Sequence, residues 1–291
     1  MNDSNFYLAI GLLILSGCDS RSQEFLEFAD RESNSPALVK QVVVGYTEDP
    51  DRRLQRIWIR GPIDRKYLEG ALLCESTEDL SIAKQCLSED DCKAISRIKR
   101  LRNLAVIDCE VKASSVLLLL QNPHLSEVQV LDSQFTSPDL QNTGVLSLSS
   151  NLRKINIKCS LGLSSSELQQ VVSGCPNLSS LRISRSTATA SSLLQISNLV
   201  DLRYLDVSYT QVNEDCFSRW GNLKHLESIE VRGVTLCERS LWPILDMDKI
   251  RRVDLRLSQG LTSQLLKVLQ DRGVEVVCGA SDVSDNAIQC D

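Results

Sequence analysis

The chain has 291 residues, a hydrophobic content of 42%, a charged content of 24% and a formal charge of −6. This composition is typical of a folded protein and excludes a largely disordered one. The negative charge argues against general nucleic-acid binding, which needs a basic surface. Because aromatic residues make up only 4% of the chain, leucine, isoleucine and valine must supply the core, as they do in proteins with regularly repeated packing.

The first element is an apolar segment, FYLAIGLLILSG (6–17), that ends at a cysteine. A transmembrane helix needs about 20 apolar residues, so this shorter run has the length of a signal-peptide core. Its end, LSGC (15–18), resembles the bacterial lipobox. That resemblance implies cleavage after Gly17, a diacylglyceryl group on Cys18 and a further fatty acid, such as palmitate, on the new amino terminus. The alternative is that Cys18 belongs to an N-terminal hydrophobic cap, because the leading MNDSN carries no lysine or arginine.

The segment after Cys18, DSRSQEFLEFADRESNSPA (19–37), is mostly polar and is predicted to tether the folded part to a membrane. Several acyl chains together give stable attachment. Asp19 resembles the signal that retains lipoproteins at the inner membrane of enterobacteria, which indicates the periplasmic side of a bacterial cell envelope. We therefore predict a signal peptide at 1–17, a lipidated Cys18 with its tether at 18–37, and an N-terminal cap at 38–53 that contains a strand in QVVVGYT (41–47).

From residue 54 the chain repeats itself. Each repeat has apolar residues at its positions 4 and 6, and all but one also have an apolar residue at position 1, most clearly in LRYLDV, LESIEV and IRRVDL. We place nine starts at Leu54, Thr77, Leu104, Leu125, Leu152, Leu178, Leu202, Leu226 and Ile250. The successive spacings are 23, 27, 21, 27, 26, 24, 24 and 24 residues, within the range of about 20–29 that leucine-rich repeats show.

The second half of each repeat predicts a short helix. An apolar residue lies about fifteen places after eight of the nine starts, and another lies eighteen places after five of them, as Leu241 and Ile244 do. This i, i+3 spacing is typical of a helix. Polar residues such as Asn213 precede the helix, where exposed backbone N–H groups favour acceptors. Each repeat is thus a strand, a turn and a helix, and repeats of this size must stack to bury their apolar faces.

The motif L-x-x-L-x-L-x-x-T-x-V, as in LRYLDVSYTQV (202–212), is similar to that of bacterial leucine-rich-repeat proteins. The resemblance covers residues 54–272 and implies an α/β leucine-rich-repeat solenoid, a horseshoe with parallel strands on its concave face and short helices on its convex face. The family often has asparagine at position 9, which here is Pro62, Gln85, Lys112, Ser133, Ser160, Ser186, Thr210, Val234 or Ser258. Small hydroxyls are expected to replace the asparagines in the middle of the stack. GVEVVCG (273–279) predicts a closing strand in a C-terminal cap and tail at 273–291.

The other ten cysteines give no metal or redox motif, since no C-x-x-C pair occurs. Three occupy apolar places of the repeat and are expected to be buried, namely Cys92, Cys109 and Cys278. Three lie outside such places and are candidates for disulfides in an oxidising compartment, namely Cys74, Cys86 and Cys290.

Nothing in the sequence indicates catalysis. The two histidines, His124 and His225, each directly precede a repeat start, so we interpret them as polar turn residues. No phosphate-binding glycine loop, G-x-S-x-G or H-E-x-x-H motif is present. The sequence therefore predicts a protein that is not an enzyme and that needs no cofactor or metal.

The predicted binding face is the outer side of the sheet, where positions 3, 5 and 7 point. Position 5 carries an acidic row in three successive repeats, Asp206, Glu230 and Asp254, about 4.8 Å apart across the sheet. The candidate face consists of Arg203, Tyr204, Asp206, Tyr209, Glu230, Arg232, Arg252, Asp254 and Arg256. In one interpretation the arginines only neutralise the row. In the other, the charges and the two tyrosines bind a protein partner, and changing the row to lysine should weaken binding while leaving thermal stability nearly unchanged.

The sequence thus predicts a lipid-anchored, extracytoplasmic leucine-rich-repeat protein that binds another protein of unknown identity. The alternatives are a cytosolic adaptor of the same fold and a structural envelope protein without a saturable ligand. Disulfides in the native protein would favour export, whereas free thiols would favour the cytosol.

Overall fold

A computed structural model describes residues 43–48, 54–61, 65–74, 76–136, 148–158, 163–235, 238–259 and 261–279. They belong to two compact units, Met1–Pro138 and Asp139–Asp291. The predicted signal peptide, Cys18 and the tether lie outside the described residues, as do the predicted N-terminal cap apart from 43–48 and the tail from 280 onward.

The described residues of the first unit form two sheets and three helices. Its larger sheet consists, in spatial order, of β1 (Val43–Glu48), β2 (Leu54–Arg60), β3 (Asp79–Ala83), β5 (Asn103–Ile107) and β7 (Glu127–Leu131). The strand β1, predicted within 41–47, pairs antiparallel with β2, and the other pairs are parallel. A smaller parallel sheet consists of β4 (Cys86–Leu87), β6 (Glu110–Lys112) and β8 (Gln134–Thr136). The helices are α1 (Arg65–Leu72), α2 (Glu89–Ser96) and α3 (Ala113–Leu119).

The second unit contains one parallel sheet with a helical segment after each strand but the last. Its strands, in spatial order, are β9 (Lys154–Lys158), β10 (Ser180–Arg182), β11 (Tyr204–Asp206), β12 (Ser228–Glu230), β13 (Arg252–Asp254) and β14 (Glu275–Val277). Its helices are α4 (Ser165–Gly174), α5 (Ala190–Leu193), α6 (Glu214–Trp220), α7 (Glu238–Leu241) and α8 (Ser263–Asp271). Short 3₁₀ helices, Leu194–Asn198 and Trp242–Asp246, continue α5 and α7. The closing strand predicted within 273–279 is present as β14.

Both units have the leucine-rich-repeat architecture that the sequence predicts, because parallel strands lie with equal repeat positions side by side and each leads into a short helix. The residues at positions 4 and 6 fill the core, for example Ile57 and Ile59 in β2 and Leu205 and Val207 in the repeat of β11. On the helix side of the second unit, the rings of Phe217 and Trp220 meet edge to face with centroids 5.4 Å apart.

The start that we predicted for the third repeat is wrong by three residues. In the sheet, Leu104 lies opposite Leu80 and Val106 lies opposite Ile82, so the repeat begins at the buried Leu101. The error arose because Leu104, Ile107 and Cys109 also have the 1-4-6 apolar spacing. The corrected starts at 77, 101 and 125 are each 24 residues apart, which places Ala105 rather than Asp108 at position 5 and Cys109 rather than Lys112 at position 9.

Position 8 of each described repeat turns the chain from the sheet toward the helix. The backbone is left-handed there in Gly61, Lys84, Asp108, Asp132, Arg185, Tyr209, Gly233 and Leu257, with φ between 50° and 97°. Six of these eight residues are neither glycine nor asparagine, so the repeat geometry imposes a conformation that most side chains disfavour.

Position 9 connects neighbouring repeats through small polar groups, as predicted for the middle of the stack. The buried hydroxyl of Ser258 accepts the backbone N–H of Val234 (3.3 Å) and donates to the carbonyl of Val231 (2.7 Å). In the first unit, the Ser133 hydroxyl accepts the N–H of Cys109 (3.2 Å), and the Cys109 sulfur accepts the N–H of Gln85 (3.4 Å). The contacts therefore extend into early repeats that lack serine.

Polar residues also begin the helices as expected. Ser88 and Ser164 each form a capping box with an acidic residue three places on, and Asn213 and Thr262 accept the N–H groups of Cys216 and Leu265. Each such cap stabilises its helix by about 1 kcal/mol.

We expect Ser258→Ala to lower the free energy of unfolding by about 1.5 kcal/mol, because it leaves a buried N–H without its partner. Urea unfolding followed by circular dichroism measures this loss. The control is Ser218→Ala on the exposed side of α6, which should change stability by less than about 0.5 kcal/mol. Equal effects of the two changes would show that the Ser258 contacts do not stabilise the stack.

Candidate functional site

The predicted acidic row lies on three adjacent strands. Asp206 at the end of β11 pairs in register with Glu230 of β12, which in turn pairs with Asp254 of β13. Tyr204 and Arg252 occupy the equivalent place two residues earlier. The alternation of side chains along each strand and the 24-residue period thus bring these side chains together, as the sequence predicts.

Two of the three acids are covered, however, and do not form an open charged surface. The side chains of Asp206 and Asp254 are only 8% and 2% exposed. Each accepts the backbone N–H two residues later, from Ser208 (3.0 Å) and from Arg256 (3.2 Å). A carboxylate in this place fixes the turn that follows the strand, which is a structural role.

Arg232 lies among all three carboxylates. Its terminal nitrogen Nη2 is 2.7 Å from Glu230 and 3.8 Å from Asp206, and its Nε is 4.0 Å from Asp254. Asp254 also forms a two-pronged pair with Arg256, at 3.0 Å from Nε to Oδ1 and 2.7 Å from Nη2 to Oδ2. The arginines therefore pair with the acids of the row, an arrangement that the first of the two interpretations expects.

Tyr204 belongs to the same cluster. Its hydroxyl donates to Glu230, and the guanidinium of Arg182 lies 4.3 Å from its ring centroid and 3.9 Å from Glu230. Burial and the bond to the Glu230 carboxylate raise the pKa of Tyr204 well above its usual value. Arg182, which the sequence analysis did not include in the candidate face, covers the ring that was expected to contact a partner.

The remaining predicted residues of the sheet face form outer pairs. Arg203 binds Glu227 at 2.8 Å, and Arg252 binds Glu275. Both pairs are largely solvent-exposed, so each contributes at most about 1 kcal/mol to stability.

Of the candidate face, Tyr209 lies in a more open place, a row of position-8 residues that we name the turn row. The turn row consists of Arg185, Tyr209, Gly233 and Leu257, and the sequence prediction missed all of these but Tyr209. Tyr209 is 42% exposed and Leu257 is 64% exposed. The Tyr209 ring lies against Gly233, where an added Cβ would come within 2.4 Å of a ring carbon. On its other side the guanidinium of Arg185 is 5.7 Å from the ring centroid. Glycine at 233 thus provides the space in which the tyrosine ring lies.

The histidines show no catalytic arrangement among the described residues. His225 is partly exposed and its Nδ1 lies 3.1 Å from the Lys249 ammonium. His124 is exposed in a turn. In the part of the chain that the structure describes, no three His, Cys, Asp or Glu side chains cluster so that they could hold a metal ion.

The cysteines follow the prediction in part. Cys92 and Cys109 are buried, and burial raises the pKa of Cys92 to about 12, so its thiol is inert. Cys278 is partly exposed rather than buried, because it follows the last described strand. Of the three disulfide candidates, Cys74 is buried, Cys86 is an exposed thiol, and Cys290 lies outside the described residues.

Among the described helices, none has the length and apolar character required to span a bilayer.

Comparison with known proteins finds similarity only among solved structures, since no protein-family profile and no curated protein matches the chain. Internalin C2 of Listeria monocytogenes has 14% identity and a TM-score of 0.49 over 66% of this chain and 84% of its own. A leucine-rich-repeat protein of Leptospira interrogans has 16% identity and a TM-score of 0.49 over 72% and 56%. An internalin-like protein of L. monocytogenes has 14% identity and a TM-score of 0.41 over 68% and 56%. The fold assignment therefore depends on the repeat geometry of the chain itself.

Proposed function

We propose that this chain is an extracytoplasmic leucine-rich-repeat protein that is anchored by a lipid on Cys18 and binds a partner protein through the turn row. The single observation that carries the binding proposal is the exposure of Tyr209 and Leu257 on the same edge of the second unit, beside arginine side chains. A few residues contribute most of the binding energy of a protein interface, and tyrosine and arginine are enriched among them.

The charges near the turn row indicate what such a partner carries. The acids of the sheet face form ion pairs with Arg232 and Arg256. The Arg185 guanidinium instead lies over the Tyr209 ring and has no ion pair among the described residues. A partner segment that places an apolar side chain between Tyr209 and Leu257 and a carboxylate near Arg185 complements this edge. Charge complementarity of this kind favours the rate and specificity of association.

The binding proposal is tested with the double variant Tyr209→Asn/Leu257→Asn. Asparagine tolerates the left-handed backbone found at both residues, so the turns should persist. We expect at least tenfold weaker saturable capture of the partner from native envelope extracts, with little change in melting temperature. Val200→Asn, at another exposed apolar residue, is the matched control. Unchanged capture by the double variant would place the binding surface elsewhere, and no saturable capture by the wild type would favour the structural envelope protein.

The anchoring proposal is tested by intact mass and membrane partitioning of the native protein and of Cys18→Ala. We expect the native chain to lack residues 1–17 and to carry a diacylglyceryl group on Cys18, and the variant to lose that group and leave the membrane. An unprocessed chain in the soluble fraction would instead support the cytosolic adaptor.

A further inference from the structure

The sheet face of the first unit has a hollow of about 310 Å³ over strands β2, β3, β5 and β7. The position-5 residues pair across the sheet in the order Trp58, Ser81, Ala105 and Gln129, and Gly45 of β1 pairs with Trp58. The hollow exists because two small side chains lie between two large ones. Trp58 forms one wall, Gln129 forms the other, and Ser81 and Ala105 form the floor.

The indole of Trp58 is exposed because the residues paired with it on the adjacent strands are small. On one side the paired residue is Gly45, which has no side chain, and on the other it is Ser81. No paired neighbour among the described residues therefore covers the Trp58 side of the hollow, and Trp58 is 39% exposed. The second unit differs, because arginines and carboxylates pair over its sheet face at the same position. An exposed tryptophan beside a floor of small side chains provides the large contact area that binding pockets use.

The polar groups at the rim of the hollow are already paired with one another. Arg56 binds Asp79 at 2.7 Å, and the Asn103 amide donates to the other oxygen of Asp79 at 2.5 Å. Across the hollow, the Gln129 amide donates to Glu127 at 2.8 Å. A charged ligand would have to compete with these pairs, and a sugar would need hydrogen bonds from groups that are engaged. The rim thus complements a group without charge and without many hydroxyls.

We propose that this hollow binds the aromatic side chain, phenylalanine or tyrosine, of a partner protein. A single ring fits between Trp58 and Gln129, stacks offset or edge-on against the indole, and covers the Ala105 methyl group. Burying such an anchor in a preformed pocket is how a few residues dominate protein recognition. This site lies in a different unit from the turn row and does not depend on the function proposed above.

The test uses the full chain labelled with 5-fluorotryptophan and short capped peptides, Gly-Gly-X-Gly-Gly, in which X is phenylalanine, tyrosine, alanine or arginine. The Trp58 fluorine signal is assigned with Trp58→Phe. We expect the phenylalanine and tyrosine peptides to shift that signal with a Kd on the order of 1 mM, as a single anchor allows. The signal of the buried Trp220 should not move. The alanine and arginine peptides and methyl glucoside should bind at least tenfold more weakly.

Two variants, each of which replaces an alanine by leucine, test where on the sheet the peptide binds. Ala105→Leu fills the floor of the hollow and should abolish the shift, whereas Ala83→Leu, on the same sheet face but outside the lining, should leave the Kd within twofold. The inference is overturned if the arginine peptide or the glucoside binds as well as the phenylalanine peptide, if Trp58 shows no shift, or if both alanine variants act alike. The variant Tyr209→Asn/Leu257→Asn should retain the shift, so failure of the turn-row proposal remains distinguishable from failure of this one.

Discussion

A chain in which Asp206, Glu230 and Asp254 are all replaced by lysine is expected to lose the native second unit at 25 °C. The change removes the acceptors of two backbone N–H groups and of Arg232, and it places three further cations beside that arginine. Removing one partner of a buried ion pair costs about 3–5 kcal/mol, and a domain is stable by only about 5–15 kcal/mol. Circular dichroism and urea unfolding should show a partly unfolded chain.

This expectation replaces the one drawn from the sequence, which was that thermal stability would hardly change. The matched control is Asp201→Lys/Glu227→Lys/Glu275→Lys, which makes the same change of net charge at exposed or outer residues. It should cost no more than about 1 kcal/mol for each pair broken. If both triple variants unfold like the wild type, the acids are not structural, and the interpretation of the row as an open binding surface regains its support.

Repeat period and apolar spacing were sufficient to predict the fold, because a 24-residue unit with strand and helix signals can bury its core only by stacking. The same two signals were not sufficient to predict the residue at which the third repeat begins. Both Leu101 and Leu104 begin an acceptable 1-4-6 series, and only the pairing of Leu104 with Leu80 decides between them. Spacing between neighbouring repeats, had it been held constant at 24, would have selected the correct start.

That register error also concealed the hollow of the first unit. With Asp108 at position 5, the row reads Trp58, Ser81, Asp108 and Gln129, which places a charged side chain beside Ser81. With Ala105 in its place, the small residues are adjacent and the hollow follows. In the second unit, the alternation of side chains along each strand correctly placed the acids side by side. Their burial, however, depends on how far the side chains of Arg232 and Arg256 extend along the sheet. Side-chain reach of this kind is a tertiary property that repeat position does not encode.

Replacing Arg232 by methionine is expected to destabilise the protein by about 3 kcal/mol at pH 7, because two covered carboxylates and Glu230 lose a shared cation. Methionine retains most of the apolar stem, so lost packing contributes little. Urea unfolding at pH 7 measures the loss. Arg203→Met is the control, because Arg203 forms an outer pair with Glu227, and it should cost less than about 1 kcal/mol.

The pH dependence of this loss distinguishes electrostatics from packing. Burial acts to raise the pKa of Asp254, but the hydrogen bonds and charges of Arg256 and Arg232 outweigh burial and hold that pKa below its usual value. A carboxyl whose folded pKa is lowered stabilises the protein above its unfolded pKa, about 3.9, and loses this contribution as the pH falls through the folded value. The difference in unfolding free energy between wild type and Arg232→Met should therefore be full above about pH 5 and shrink below about pH 4, as Asp254 becomes protonated and no longer needs the arginine. A loss of the same size at pH 7 and pH 3 would mean that Arg232 stabilises the sheet by packing alone.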